Sequence, residues 1–224
     1  MNQSQFKKGI VYATIGSLWW GVLGTIFFKY VSMMGALEVT LHRLIWTSLI
    51  LLLTTLIFKK IKVFKSIIKQ KKKLLILLVT GVLIFLNWGT WIYAISINKI
   101  IDASYGYFIF PILNVFLGYV FLKEKLNFKR KISILIVIAS SVYLLFNFES
   151  FPIVGFLVAF FWSFYNLLRK KVNVDTDVGL LIESLFILPI ALIVCYFIFK
   201  SGYNDFSFQQ PYNILLLILG GFMT

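Results

Sequence analysis

Ionisable side chains inside long apolar runs are the first residues of this sequence that could carry chemistry. Glu38, His42 and Arg43 lie near the start of one such run, and Glu183 lies near the start of another. An ionisable group at the centre of a bilayer costs at least ~2.5–3.5 kcal/mol on insertion scales, so each needs a partner or a function. We predict that His42, Arg43 and Glu183 gate a path through the membrane or bind a coupling proton or ion. The open alternative is that Arg43 extends to the surface and Glu38 lies among lipid headgroups.

Polar and aromatic residues on single helical faces are candidates to line such a path. In the stretch ASYGYFIFPILNVFLGYVFLKE, residues 103–124, a small and polar stripe recurs at spacings of three and four, which a helix gathers on one face. Its members are Ser104, Tyr107, Pro111, Asn114 and Gly118. The stripe indicates either close helix packing or the lining of a pathway. The predicted pathway residues, whose aromatic rings would hold an apolar or cationic part of a solute, are Trp20, Asn87, Trp88, Tyr107, Asn114 and Trp162.

Motifs of enzymes and of metal or nucleotide sites do not occur in the sequence. There is one histidine, with no HExxH, Cys/His cluster, P-loop or glycine-flanked nucleophilic serine. The single cysteine, Cys195, cannot form an intramolecular disulfide and is interpreted as a packing residue. We therefore expect no catalysis, no cofactor and no metal site.

The composition is that of an integral membrane protein. Hydrophobic residues make up 60% of the chain, charged residues 13%, and the mean hydropathy is +0.93, which leaves too little polar surface to cover a soluble core. The net charge of +14 comes from lysines and arginines in short loops between apolar runs, so nucleic acid is not an expected partner.

The apolar runs predict an all-α bundle. They lie at 9–31, 37–58, 74–97, 103–122, 132–148, 152–168 and 179–199, which makes seven complete spans. An eighth run starts near Ile214 and reaches only about half of the ~20 residues that a crossing needs. We therefore expect a chain that is cut short within its eighth span.

Basic residues alternate between the loops and predict the orientation. The N-terminus and the loops at 59–73, 123–131 and 169–171 carry eighteen lysines and arginines, whereas the other loops carry two. Cytoplasmic loops are enriched in these residues, so the N-terminus is expected in the cytoplasm. Within the loop at 59–73, Ile61, Phe64 and Ile68 share a helical face, which leaves open whether its lysines set topology or bind an anionic membrane surface.

A weak internal repeat divides the chain into residues 1–148 and 152–224. Trp20 is followed nine residues later by Lys29, and Trp162 is followed nine residues later by Lys171. Each pair precedes a span with ionisable groups in its first turns. Because five spans separate the equivalent helices, the second copy is expected to be inverted in the membrane, a common arrangement in secondary transporters.

Five segments of the sequence form an ordered set of motifs: LHRLIW at 41–46, NW at 87–88, ASYGYFIFPILNVFLGYVFLKEK at 103–125, FYNLLRKK at 164–171 and GLLIESLFILP at 179–189. In order and spacing they resemble RarD-type members of the EamA family in the drug/metabolite transporter (DMT) superfamily. The resemblance implies a bundle of two inverted five-helix repeats, of which residues 152–224 would be a partial second copy. It also implies alternating access and residence in a bacterial cytoplasmic membrane.

The expected function is therefore a secondary transporter that exports a small metabolite or drug. Its expected partners are the lipid bilayer and a small-molecule solute, with a coupling proton or ion and the oligomeric state left open. The alternative is a membrane sensor or interaction protein that transports nothing, in which the same stripes are packing surfaces. A membrane enzyme acting on lipid is disfavoured because no paired acid and base groups occur on one side.

Overall fold

The computed structural model describes residues 3–148, 150–202 and 211–223 of the chain, and all regular structure in these ranges is helical. The α-helices are α1 (Gln3–Leu18), α2 (Thr25–Tyr30), α3 (Ala36–Ile57), α4 (Ile61–Ile68), α5 (Lys71–Ser96), α6 (Ile100–Leu122), α7 (Phe128–Leu145), α8 (Ile153–Val172), α9 (Thr176–Ser201) and α10 (Pro211–Phe222). A π-helical turn, Trp19–Gly24, joins α1 to α2, and a 3-10 turn, Val31–Met33, follows α2. The predicted all-α integral membrane architecture is confirmed.

Six segments of the described chain are long and apolar enough to cross a membrane. They are Gln5–Met33, Ala36–Ile57, Lys71–Ser96, Ile100–Leu122, Ile153–Val172 and Thr176–Ser201. The predicted span at 132–148 forms most of α7, but α7 begins at Phe128 and carries Lys129, Arg130 and Lys131 in its first turn. Because of these three charges, α7 is not apolar enough to count among the membrane-spanning segments. In the described chain six segments, rather than the predicted seven, are both long enough and apolar enough to cross a membrane.

The interior of the bundle is formed where α3, α5, α8 and α9 pack together. One buried cluster joins all four helices and contains Leu41, Leu44, Ile84, Trp88, Tyr165, Ile187 and Ala191. Helices α3 and α9 run antiparallel, because Lys60, just after α3, bonds to Asp177 in the first turn of α9. By contrast, α1 is largely exposed, as expected for a helix whose apolar side chains face lipid.

Helices α6 and α8 approach closely through two glycines. A Cβ on Gly106 would lie 2.5 Å from the Gly155 carbonyl oxygen, and a Cβ on Gly155 would lie 2.3 Å from the Asp102 carbonyl oxygen. The Asp102 carboxylate also accepts a hydrogen bond from the Gly155 backbone N–H, 3.0 Å away. The carboxylate thus satisfies one of the free N–H groups at the start of α8.

The packed face of α6 differs from the stripe that the sequence singled out. Tyr105, Gly106 and Ile109 are buried, whereas Tyr107 and Pro111 on the predicted stripe are exposed. The glycine pair decides this difference, because small residues, and glycine above all, let two helix backbones approach closely. The stripe is therefore not the surface on which α6 packs against α8.

Candidate functional site

Arg43 lies in a cage of three aromatic rings. Its guanidinium carbon is 4.2 Å from the centre of the Trp88 ring and 5.0 Å from the centres of the Trp20 and Phe28 rings. Arg43 is 1% exposed, so it does not extend to the surface as the alternative interpretation required. A cation over an aromatic face within ~6 Å is attracted by the ring quadrupole, by about 2 kcal/mol or more when both are desolvated. The rings of the first span and of α5 thus stabilise the positive charge of Arg43 on α3.

The position of Trp20 depends on the π-helical turn. A π-helical turn inserts extra backbone and shifts the face on which the following side chains project. Gly24 lies in the same turn and leaves room for the Trp20 ring, because a Cβ on Gly24 would lie 2.7 Å from Cε3 of Trp20. The Trp20 ring therefore lies along its own helix and stacks on Phe28, with ring centres 6.1 Å apart.

Glu38 and His42 form a second polar group on α3. The carboxylate Oε1 of Glu38 is 3.9 Å from Nε2 of His42, and the residues are 5% and 9% exposed. Residues four apart on a helix are neighbours, so Glu38 and His42 lie on the same face of α3. Glu38 is therefore buried beside His42 rather than among headgroups.

Glu183 is the centre of a buried polar network that joins three helices. The Thr80 hydroxyl of α5 donates a hydrogen bond to Oε1 of Glu183 at 2.7 Å, and the Tyr165 hydroxyl of α8 donates to Oε2 at 3.2 Å. Nη1 of Arg169 lies 3.5 Å from Oε1, which makes an ion pair with a carboxylate that is 0% exposed. Glu183 thus ties α9 to both α5 and α8.

Arg169 is held in position by the connection between α8 and α9. Its Nη2 donates to the carbonyl oxygens of Asp175, at 3.5 Å, and Thr176, at 3.3 Å. A side chain on Gly179 could not be accommodated, because its Cβ would lie 1.8 Å from Nη1 of Arg169. The glycine in the first turn of α9 therefore provides the space through which Arg169 reaches Glu183.

The same end of the bundle carries a more exposed ion pair. We name this end of the bundle the basic end, after Lys60, Lys73 and Arg169. The Lys60 ammonium donates to Asp177 at 2.6 Å and lies 3.8 Å from the Asp175 carboxylate. The hydrogen bond to Asp177 raises the pKa of Lys60 above its ordinary value. The pair connects the end of α3 to the start of α9.

The predicted pathway residues fall into separate groups. Trp20 and Trp88 contact Arg43, whereas Trp162 stacks on Tyr165 with ring centres 5.3 Å apart and so lies next to the Glu183 network. Asn87 donates from Nδ2 to the Val158 carbonyl oxygen at 3.0 Å and links α5 to α8.

Tyr107 and Asn114, the two pathway residues predicted on α6, are less enclosed. Tyr107 is 49% exposed and meets the edge of the Trp91 ring, with centres 5.5 Å apart. Asn114, two turns further along the helix, is half-buried. Their shared side of α6 is thus more exposed than the neighbouring side, which packs on α8.

Four polar residues of these networks were not predicted from the sequence: Thr80, Asp102, Tyr165 and Arg169. A signal existed for Tyr165 and Arg169, which are four residues apart and therefore lie on one helical face. Asp102 is acidic and buried in the first turn of α6. Thr80 had no such signal, because its partner is 103 residues away along the chain.

Comparison with known proteins assigns the chain to a family. The model of the EamA-like transporter family matches residues 7–146. Protein RarD of Escherichia coli K12 is 32% identical over 225 residues, covering 100% of this chain and 75% of that protein. An uncharacterized transporter of Vibrio cholerae is 34% identical, covering 100% of the chain and 74% of that protein. The uncharacterized transporter YojE of Bacillus subtilis is 30% identical, covering 100% and 75%.

The match to the family model covers more than half of the chain. The family is one of transporters, and the membrane-spanning helices of the chain agree with that. The relatives are similar along the whole chain, beyond the 7–146 segment. The chain belongs to the EamA-like transporter family and is a RarD-type membrane transporter of the drug/metabolite transporter superfamily.

Proposed function

We propose that this protein exports a small metabolite or drug by alternating access between two mouths. Arg43 and His42 form the gate at one mouth, and Glu183 with Arg169 forms the gate at the other, basic end. The observation that carries the proposal is the burial of two opposite charges, Arg43 at 1% and Glu183 at 0% exposure, on the two antiparallel helices α3 and α9. Buried charges in a membrane protein mark substrate or ion pathways.

The two gates have related surroundings, which supports an inverted repeat with the predicted boundaries 1–148 and 152–224. In the first half, Trp20 of the first span contacts Arg43 of α3. In the second half, Trp162 of α8 stacks on Tyr165, which bonds to Glu183 of α9. A tryptophan of the first helix is therefore coupled to the buried charge of the second helix in both halves. Alternating access by rocking of two such repeats explains why each half needs a gate.

The proposed path runs between the gates along the exposed side of α6. Trp20 and Trp88 hold Arg43 in the described conformation, so we assign them to the gate rather than to the binding of the solute.

Tyr107 and Asn114 line the path, with Trp91 against Tyr107 and Trp162 near the second gate. Aromatic rings with a few polar groups suit a solute with an apolar or cationic part.

The proposed topology places the basic end in the cytoplasm of a bacterial cell, with the N-terminus on that side. Eighteen basic residues on one side against two on the other support this orientation. A proton is a suitable coupling ion, because the carboxylate of Glu183 could be protonated when Arg169 moves away. Export then uses the inward proton gradient.

The experiment that tests the proposal begins with an untargeted comparison of metabolites inside and outside cells that express or lack the protein. A compound that accumulates outside expressing cells is then followed in liposomes with the wild type, Arg43→Ala and Glu183→Ala. We expect transport by the wild type and a loss of at least about tenfold in both variants. If both variants insert and transport normally, the gate assignment is wrong. If the wild type moves no solute, the sensor or interaction alternative is favoured instead.

A further inference from the structure

A cavity of about 400 Å³ lies at the basic end, between α4 and the connection from α8 to α9. Neither Glu183 nor Arg169 lines it, and it adjoins their network through Asp175, whose carbonyl oxygen accepts a hydrogen bond from Arg169. Its polar lining consists of Lys62, Ser66, Gln70, Lys73, Asn173 and Asp175. A cavity of this size accommodates a small ligand or a lipid headgroup.

The lining of the cavity is suited to an anion. Lys62 and Lys73 supply two ammonium groups, and the hydroxyl of Ser66 is a further donor. The amides of Gln70 and Asn173 can donate as well.

The single carboxylate in this lining is already paired. Asp175 lies 3.8 Å from the Lys60 ammonium, which also bonds to Asp177. Lys60 shares its one positive charge between Asp175 and Asp177, so with Lys62 and Lys73 three ammonium groups face two carboxylates, and the net positive charge favours an oxyanion such as phosphate.

The cavity lies at the level where membrane-spanning helices begin and end. Lys73 is the third residue of α5, and Asn173 directly follows α8. Helix α4 is anchored beside them, because Ile67 is 5% exposed and packs with Leu77 and Val178. Val63 and Ile68 of the same helix are 40% and 41% exposed. Apolar residues beside a basic pocket provide contacts for acyl chains next to a headgroup site.

We propose that this cavity binds the phosphate headgroup of an anionic phospholipid, such as phosphatidylglycerol. The binding anchors α4 and the α8–α9 connection, which holds Arg169, to the membrane surface. The sequence left two interpretations of the basic loop open, topological lysines or a lipid-binding surface. A cavity with lysines from two helices favours a lipid site for Lys62 and Lys73. The proposal requires membrane insertion and does not depend on the identity of a transported solute.

The test compares two double variants that remove the same charge from the same basic segment. Lys62→Gln with Lys73→Gln removes the ammonium groups of the cavity, whereas Lys65→Gln with Lys69→Gln removes two exposed lysines that do not line it. Native mass spectrometry of the detergent-solubilised protein, titrated with phosphatidylglycerol or phosphatidylcholine, measures binding. A third variant, Ser66→Phe, fills the cavity without changing the charge.

We expect the wild type to prefer phosphatidylglycerol, and the cavity pair to weaken its binding by about fivefold for each lysine. Ser66→Phe should weaken it comparably, and the Lys65/Lys69 pair should change it less than about twofold. Equal losses in both lysine pairs would show unspecific attraction and overturn the proposal, as would normal binding by Ser66→Phe. Displacement of the lipid by millimolar inorganic phosphate would show a free-anion site instead. Monodispersity and helical circular dichroism identify any variant that fails to fold.

Discussion

Arg43 and Glu183 are each the eighth residue of their helices, counted from Ala36 in α3 and Thr176 in α9. The two helices are antiparallel, so at ~1.5 Å of rise per residue the two charges lie ~10 Å in from opposite ends of the pair. One side chain is cationic and held by aromatic rings, and the other is anionic and held by hydroxyl groups and Arg169. The relationship makes the two residues counterparts in position and opposites in charge.

The aromatic cage predicts that the shape of the Arg43 side chain matters as well as its charge. Arg43→Ala should lower the initial transport rate at least about tenfold, because the buried rings lose their cation. Arg43→Lys should recover part of the rate, since an ammonium keeps the charge but cannot stack as a planar group. Transport into liposomes measures both, and Lys99→Ala, an exposed basic residue, is the control. Full activity of Arg43→Lys would contradict a role for stacking.

The ion pair between Arg169 and Glu183 predicts coupled effects on stability. Glu183→Gln and Arg169→Gln should each lower the stability of the protein by about 1–3 kcal/mol, because each leaves a buried polar group with fewer partners. The double variant should lose less than the sum of the single losses. Thermal unfolding in detergent measures the cycle. Strict additivity would show that the 3.5 Å contact contributes nothing.

Tyr165→Phe isolates the second hydrogen bond of the same network. The Tyr165 hydroxyl donates to Glu183, while its ring stacks on Trp162. Removing the hydroxyl keeps the stacking and should cost about 1.5–3 kcal/mol of stability, because the hydrogen bond is made to a charged group. Tyr165→Leu should cost more, because it also removes the ring contact. The same unfolding assay compares the two variants, and equal losses would assign no role to the ring.

Close packing of α6 on α8 predicts strong effects of small substitutions. Gly106→Ala and Gly155→Ala place a Cβ within 2.5 Å of backbone atoms, so the helices must separate. Each should lower the unfolding temperature, and the cost should be about 1–3 kcal/mol, as for other overpacked sites. Gly16→Ala is the matched control, since nothing lies within 4 Å of its Cβ, and it should leave stability unchanged or raise it. Equal stability of all three variants would contradict the packing described.

Two asparagines predicted for the pathway are expected to differ in their effects. Asn87→Leu removes the hydrogen bond to Val158 and should cost about 0.6 kcal/mol, the average for such bonds between membrane helices. Asn114→Leu, on the open side of α6, should preserve insertion and stability but impair transport. Stability and transport are measured on the same preparations. Unchanged transport by Asn114→Leu would remove this side of α6 from the pathway.

Much of the fold followed from local properties of the chain, and the partners of the buried charges did not. Runs of apolar residues locate helices because each helix satisfies its own backbone hydrogen bonds, whatever its neighbours are. The first turn of α7 shows the boundary of that reasoning, since its three basic residues belong to the helix but not to the apolar run. The sequence likewise identified Trp20, Trp88 and Arg43 separately and assigned the rings to a solute, whereas the structure brings them together.

By itself, the sequence determined that this is an all-α membrane protein of the EamA type, with rare ionisable residues at the starts of two spans. Periodicity and composition are properties of neighbouring residues, and they suffice for those conclusions. Only the tertiary structure decided which faces meet, as for Thr80 and Glu183, which are 103 residues apart. That choice depends on where backbones approach most closely, as at Gly106 and Gly155, and on space such as that which Gly179 leaves for the Arg169 side chain.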